Sequence, residues 1–151
     1  MIVFDLDGTL ANFDHRKHIV SGKSRDDKSW ELFYQACIYD RPIYPVVNVF
    51  TCLYFCSNIE VQIWTGRNEN YKEQTLNWIE KHAFGGRLPL GFDSKIKMRA
   101  RNDTRHDWEI KQQWLKDESP NVELVYEDRN SVVEMFRRNN VICVQVAEGA
   151  Y

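Results

Sequence analysis

Met1-Ile2-Val3-Phe4-Asp5-Leu6-Asp7-Gly8-Thr9-Leu10-Ala11-Asn12 opens the chain. Ile2, Val3 and Phe4 form a short apolar run of the kind that makes a buried strand. Asp5 ends the run, and Asp7 follows after one residue. Gly8 permits a sharp backbone turn, and Thr9 adds a hydroxyl. Carboxylates at the carboxyl end of a buried strand stand where open α/β sheets hold their ligands. Two of them this close repel unless a cation or a shared proton relieves the charge. A plain acidic Asp-Gly turn is the alternative, but such a turn needs only one of these residues.

Beyond this stretch, 151 residues suffice for one sizeable core and predict one domain. A hydrophobic content of 43% with 13% aromatics predicts a folded globule rather than a disordered segment. The net charge of −2 excludes a strongly basic, non-specific nucleic-acid binder, so contact with a polyanion must come from local basic patches. Cys37, Cys52, Cys56 and Cys143 form no C-x-x-C pair and have no zinc-like histidine spacing. They read as buried thiols in a reducing compartment. The longest apolar stretch, Ile43 to Cys56, is interrupted by Pro45 and Asn48 and is too short to span a bilayer. With no signal peptide apparent before the first strand, the expectation is a soluble cytoplasmic protein without membrane contact.

Asn12 to Lys28 is polar and charged and reads as a surface loop containing Arg16, Lys17 and His18; the last two read as incidental charges. Ser29 to Tyr39 carries Trp30, Phe33, Tyr34, Cys37 and Ile38 at helical spacing, with Ser29 as N-cap. Residues 12–44 are thus expected to form a small helical cap inserted after the first strand. A second helix starts at Pro45 and runs to Ser57, apolar enough to lie between layers. Val61-Gln62-Ile63-Trp64 is the second strand and ends in Thr65-Gly66-Arg67. That ending offers a hydroxyl, backbone amides and a guanidinium, a phosphate-binding set. Asn68 caps a helix to Ala83, which Gly85 and Gly86 break.

Lys95 to Arg99 alternates charged and apolar residues as a half-buried strand does. Two readings of Lys95, Lys97, Arg99, Arg101 and Arg105 stand side by side: a charge-protected edge strand, or a basic rim that guides a polyanion. A helix from Asp107 to Asp117 sets Asp107 and Lys111 one turn apart on one face. Ser119-Pro120-Asn121 makes a turn. Val122 to Tyr126 is the next strand and closes in Glu127-Asp128-Arg129, followed by a helix capped by Asn130 or Ser131 and a last strand, Val141 to Val146. This βα alternation predicts a parallel sheet with helices on both faces.

Asp-Leu-Asp-Gly-Thr after a hydrophobic strand, a second strand ending in Thr, a lysine on a later helix and an acidic pair closing a further strand resemble the four motifs of the haloacid-dehalogenase-like (HAD) phosphohydrolases. Asp103-Thr104-Arg105-His106-Asp107 followed by Lys111, and Glu127 to Arg138, make the chain similar to the 3′-phosphatase domains of bifunctional bacteriophage polynucleotide kinase–phosphatases. The resemblance implies an α/β HAD-like (Rossmannoid) sheet with a small cap. It also implies a magnesium-dependent phosphomonoesterase acting on 3′-phosphorylated DNA or RNA ends, with a cytoplasmic setting in the host if the chain is of phage origin.

In that reading Asp5 is the nucleophile. The Asp7 side chain is the acid and base, with a raised pKa, and Thr65 and Lys111 join them in catalysis. Gly8, Thr9, Arg16, Gly66, Arg67 and Asp107 serve substrate binding, with Asp107 orienting Lys111. Magnesium is held by Asp5, Asp7, Asp128 and Glu127, the last standing where the family commonly has aspartate. No G-x-x-x-x-G-K-[ST] loop is present, so no kinase half is expected. A phosphatase for free nucleotides or small phosphomonoesters is the first alternative, and a non-catalytic module that binds phosphorylated ends is the second.

Overall fold

The computed structural model describes residues 1–24, 27–56, 58–118 and 121–149, and β1 (Ile2–Phe4) lies at the centre of its main sheet. Among these residues the sheet has five parallel strands in the order β5-β4-β1-β6-β7. These are β4 (Val61–Asn68), β5 (Ile96–Arg99), β6 (Leu124–Arg129) and β7 (Ile142–Gly149). The chain leaves β1 to build β4 and β5 on one side, then crosses back to build β6 and β7 on the other. The carboxyl end of β1 is therefore the topological switch point, where a crevice opens because flanking connections diverge.

Alternation along β1 sets the layers. Ile2 and Phe4 point into one core with Val61, Ile63, Val47, Phe50, Trp78 and Ile79. Val3 points into the other with Trp64, Leu115, Val125, Val132 and Phe136. Hence α3 (Tyr44–Cys56) and α4 (Lys72–Ala83) cover one face, and α5 (Asp107–Glu118) and α6 (Asn130–Arg138) cover the other. Phe4 is fully buried, stacks on Tyr126 at 4.3 Å and meets Phe50 edge-on. Burying a ring of this size contributes roughly 1.5–3 kcal/mol.

The strands that carry the motifs run past their apolar cores. β4 continues through Thr65-Gly66-Arg67 to Asn68, and β6 through Glu127-Asp128-Arg129. Both show a register shift at this end, which widens the sheet edge at the crevice.

Asn12 to Lys28 is not a plain loop. Ala11–Asn12 (β2) pairs antiparallel with Arg41–Pro42 (β3), and between them lie α1 (Asp14–Val20), α2 (Ser29–Gln35) and a 3-10 turn at Ala36–Tyr39. Polar spacing hides α1 because the side chain it buries is an arginine, Arg16. Ser29 is the first helical residue rather than the cap; the Asp27 carboxylate accepts from its backbone N–H. Phe13, Phe33 and Tyr34 form a third apolar cluster with Trp30 and Tyr71 packed against it.

α3 is half-exposed rather than sandwiched. It buries Val47 and Phe50 and leaves Tyr44, Val49 and Phe55 in solvent. Consequently Cys52 and Cys56 are exposed, against the sequence expectation, while Cys37 and Cys143 are buried. Burial pushes the Cys143 thiol up to about 12, with the Glu127 carboxylate adding to it, and burial also raises Cys37. Native protein should therefore be alkylated by iodoacetamide at Cys52 and Cys56, with Cys37 and Cys143 reacting only after unfolding. Mass spectrometry of the tryptic peptides reads the order directly.

α6 begins after Arg129, which makes no side-chain cap bond, so neither Asn130 nor Ser131 is its cap. No helix among the described residues is long and apolar enough to cross a membrane. The expected helix end at Ser57, the turn at Ser119-Pro120 and the last residues, Ala150 and Tyr151, lie outside the described residues.

Candidate active site

Asp5 follows β1 directly, and its backbone N–H donates to the Tyr126 carbonyl of β6 at 2.9 Å. That bond keeps the strand pairing intact up to the residue that carries the carboxylate. The side chain opens into a cavity of about 610 Å³ lined by Asp5, Asp7, Gly66, Asp107, Lys111, Glu127, Asp128 and Arg129 from the sheet side. The insert supplies the other wall, including Phe13, Phe33, Trp30 and Tyr34.

Lys111 is the pivot. It reaches from the first turns of α5, is almost fully buried, and its Nζ donates to Asp5 Oδ1 at 2.5 Å and Glu127 Oε2 at 2.6 Å. Burial works against its charge, but the two carboxylates outweigh that and hold the ammonium well above its ordinary pKa. Glu127 also accepts from the backbone N–H groups of Asp128 and Arg129 through Oε1. The longer glutamate thus spans from its own strand to the lysine. Asp5 is pushed well above the usual carboxylate range, first by burial and then by Glu127, while Lys111 pulls against the rise.

Asp5, Glu127 and Asp128 are all buried, and one oxygen of each lies within 4.8 Å of the others. Asp5 and Glu127 share the Lys111 ammonium, and the Asp128 carboxylate adds further acidity beside them. The donors are all hard oxygens, a set that fits magnesium rather than a thiolate-seeking metal. Asp7 is expected to meet the metal through its backbone carbonyl, and its side chain turns to two arginines.

The Asp7 carboxylate is gripped by two arginines. Arg67 Nη2 donates to it at 2.5 Å and Nε at 3.0 Å, and Arg16 Nη2 donates at 2.7 Å. Burial raises its pKa, yet the two guanidiniums together prevail and hold it below the ordinary value of 3.8. In this structure Asp7 is a carboxylate, not the neutral acid that the sequence reading required.

Arg16 and Arg67 are themselves fully buried and do not line the cavity. Both are tied to Asp40: Arg16 through Nε at 2.7 Å and Nη2 at 2.5 Å, Arg67 through Nη2 at 2.6 Å. Two buried cations need two counter-charges, and Asp7 and Asp40 supply them. Asp40 is the residue that sequence reasoning missed. It lies in no motif, and the only local signal is an acid just before β3, at the end of an aromatic helix. Trp78 Nε1 donates to its carbonyl, and His15 bonds its carboxylate.

Asp107 is expected to orient Lys111, whose ammonium donates to Asp5 and Glu127. The Asp107 carboxylate is bridged between Arg99 of β5 and Arg129 of β6. Arg99 goes on to donate to the carbonyls of Gly66, Asp103 and Arg105, tying the β5–α5 connection to the end of β4. Gly66 is required beneath this bridge, since a Cβ there would stand 2.8–2.9 Å from the Asp107 carboxylate. Gly66→Ala should displace Asp107, lower stability by about 1–3 kcal/mol and reduce turnover, as urea unfolding and phosphate release would show.

Thr65 is fully buried and its Oγ1 accepts from the Arg67 backbone N–H. Thr9 is fully buried with no partner for Oγ1 among the described residues, and neither Gly8, Thr9 nor Thr65 lines the cavity. Lys17 and His18, read from sequence as incidental, do line it, as does Lys23. The basic rim is largely neutralised instead: Lys95 pairs with Glu60, Lys97 with Glu118, and Arg105 with Asp103.

Residues 1–151 match the family described as "Polynucleotide kinase PNKP phosphatase domain". The chain belongs to this family. A chain in "Structure of Pnkp1/Rnl/Hen1 complex" superimposes on it with a TM-score of 0.71 at 29% identity. The match covers 99% of the present chain and 46% of that one, so this PNKP-type phosphatase domain spans about half of that relative's length. The protein is therefore a HAD-type phosphatase, with the α/β architecture of that superfamily.

Proposed function

We propose that the protein removes 3′-phosphates from DNA or RNA ends, with magnesium, through an aspartyl-phosphate on Asp5. The observation that carries the chemistry is the Asp5 carboxylate, fixed by Lys111 on the floor of a cavity beside Glu127 and Asp128. Membership of a polynucleotide phosphatase family supports the choice of substrate.

Asp5 Oδ forms a bond to phosphorus as the ester P–O bond breaks, and water then releases phosphate and regenerates the carboxylate. Lys111 donates to the phosphoryl oxygens as charge gathers on them, held in line by Glu127. Asp5, Asp128 and the Glu127 corner would hold magnesium, which when bound would supply charge neutralisation for an anion meeting an anion. Asp7 is set to take the proton of the hydrolytic water. To protonate the leaving oxygen first, Asp7 must itself take up a proton, which the Arg16 and Arg67 guanidiniums on its carboxylate oppose. Residues 13–40 act as the cap, and Lys17 and Lys23, paired with Asp14 and Asp27, stand at the mouth with His18.

A nucleotidase reading has one observation in its favour: the overall charge is −2 and the strand-edge cations are paired off. The test is magnesium-dependent phosphate release from a 3′-phosphorylated oligonucleotide, its 5′-phosphorylated counterpart and a nucleoside 3′-monophosphate. Faster, salt-sensitive release from the first is the expected result. Equal or faster release from the mononucleotide would replace end repair with nucleotide hydrolysis.

A further inference from the structure

A second cavity of about 320 Å³ adjoins the first at the same sheet edge. Trp30 and Tyr34 belong to the linings of both, so the two form neighbouring compartments with a shared aromatic wall. We infer that this groove binds the nucleotide preceding the phosphorylated terminus, with its base on the Trp30–Tyr34–Tyr71 aromatic wall and its phosphodiester on Arg101. The inference rests on the proposed polynucleotide substrate.

The wall is continuous. The Trp30 and Tyr34 ring centroids are 5.8 Å apart with planes at 38°, and Tyr34 and Tyr71 are 5.4 Å apart at 32°. Tyr34 is anchored by its hydroxyl, which donates to the Gly66 carbonyl at 3.2 Å. Tyr71 is held by donation to the Glu31 carbonyl, and Trp30 Nε1 by donation to the Ser24 carbonyl. Trp30 and Tyr71 are half-exposed and Tyr34 is buried between them, so the two outer rings are held in place for stacking, which accepts any base. The opposing chemistry is polar. Asn68 and Asn70 join the lining, and side chains of this type meet base edges.

Arg101 is distinct among the basic residues of this region. Lys95, Lys97, Arg99 and Arg105 each pair with a carboxylate. The Arg101 guanidinium gives only Nε, to the neutral Asn70 Oδ1 at 2.7 Å, and its terminal nitrogens have no partner among the described residues, while its backbone N–H donates to Glu69 Oε1 at 2.9 Å. The same asparagine holds the guanidinium in place, and Asn68 Nδ2 donates to the Arg101 carbonyl. Glu31 in the same lining opposes a cluster of anions, so a nucleoside carrying one phosphodiester fits better than free polyphosphate.

The test compares a 3′-phosphorylated dinucleotide with a nucleoside 3′-monophosphate, using the wild type, Tyr71→Ala and Arg101→Ala. Wild type should favour the dinucleotide in kcat/KM by about tenfold or more, mainly through KM. Each variant should lose most of that preference while hydrolysing the mononucleotide as before. Arg101→Ala should also flatten the log–log salt dependence by about 0.7, as expected for one phosphate contact.

Binding of a labelled dinucleotide lacking the 3′-phosphate, followed by anisotropy, reads the groove without any catalysis. Both variants should weaken it about fivefold or more. Variants that leave preference and binding unchanged would overturn the inference. Loss of all hydrolysis by wild type would instead overturn the substrate assignment, with the binding result still deciding the groove.

Discussion

Asp5→Asn should leave a folded protein whose phosphate release is reduced on the order of 10⁴-fold or more, the scale seen when a nucleophile is removed. The amide has the same shape but no anionic oxygen to bond phosphorus. Folding should survive for a reason visible in the site. A carboxyl whose folded-state pKa is raised is a net burden on stability at every pH above that value, and the burden is relieved as pH falls through it. Asp5 is such a group, crowded by Glu127 and desolvated. The neutral amide removes the burden, and Lys111 keeps Glu127 as a partner. Phosphate release together with thermal melting separates the two effects. Substantial residual turnover in the variant would mean that another group attacks phosphorus.

Asp40→Ala should be among the most destabilising single changes in the molecule, by about 3–5 kcal/mol, because it strands two buried guanidiniums. Arg16 and Arg67 would then share Asp7 alone. Urea unfolding measures the loss, and an unchanged midpoint would show that water or a shifted backbone can replace the carboxylate. The pH dependence of the same cluster has a definite sign. Asp7 is held below its ordinary value of 3.8, so its pairing contributes fully above that pH. The contribution is lost as pH falls through the lower folded-state value. In Asp40→Ala the acid limb should persist, since Asp7 keeps both arginines.

Much of this protein was legible in the chain itself. A three-residue apolar run ending in Asp-x-Asp-Gly-Thr, two later strands ending in polar residues and helical spacing between them are local signals, and local backbone preference produces them. They placed Asp5, Gly66, Glu127 and Asp128 at one sheet edge, while Lys111 joined them only through the family resemblance. α1 was not legible because its buried residue is charged, and hydrophobic spacing is blind to an arginine whose partner is far along the chain. The half-exposure of α3 was hidden for the converse reason: apolar residues all around a helix do not say which side the sheet covers.

Partner choice among charges was settled only in three dimensions. Asp107 and Lys111 share a helix face, yet each finds its counter-ions on other strands, because burial rewards the pairing that leaves no charge stranded. The same rule turned Arg16 and Arg67 away from the cavity and onto Asp7 and the unmarked Asp40. Sequence by itself determined the fold class and the place of Asp5 at the carboxyl end of the first strand, since both follow from contiguous residues. The protonation state of Asp7, the holder of Lys111 and the groove beside the site were decided by tertiary structure, since electrostatic energy depends on distance through space.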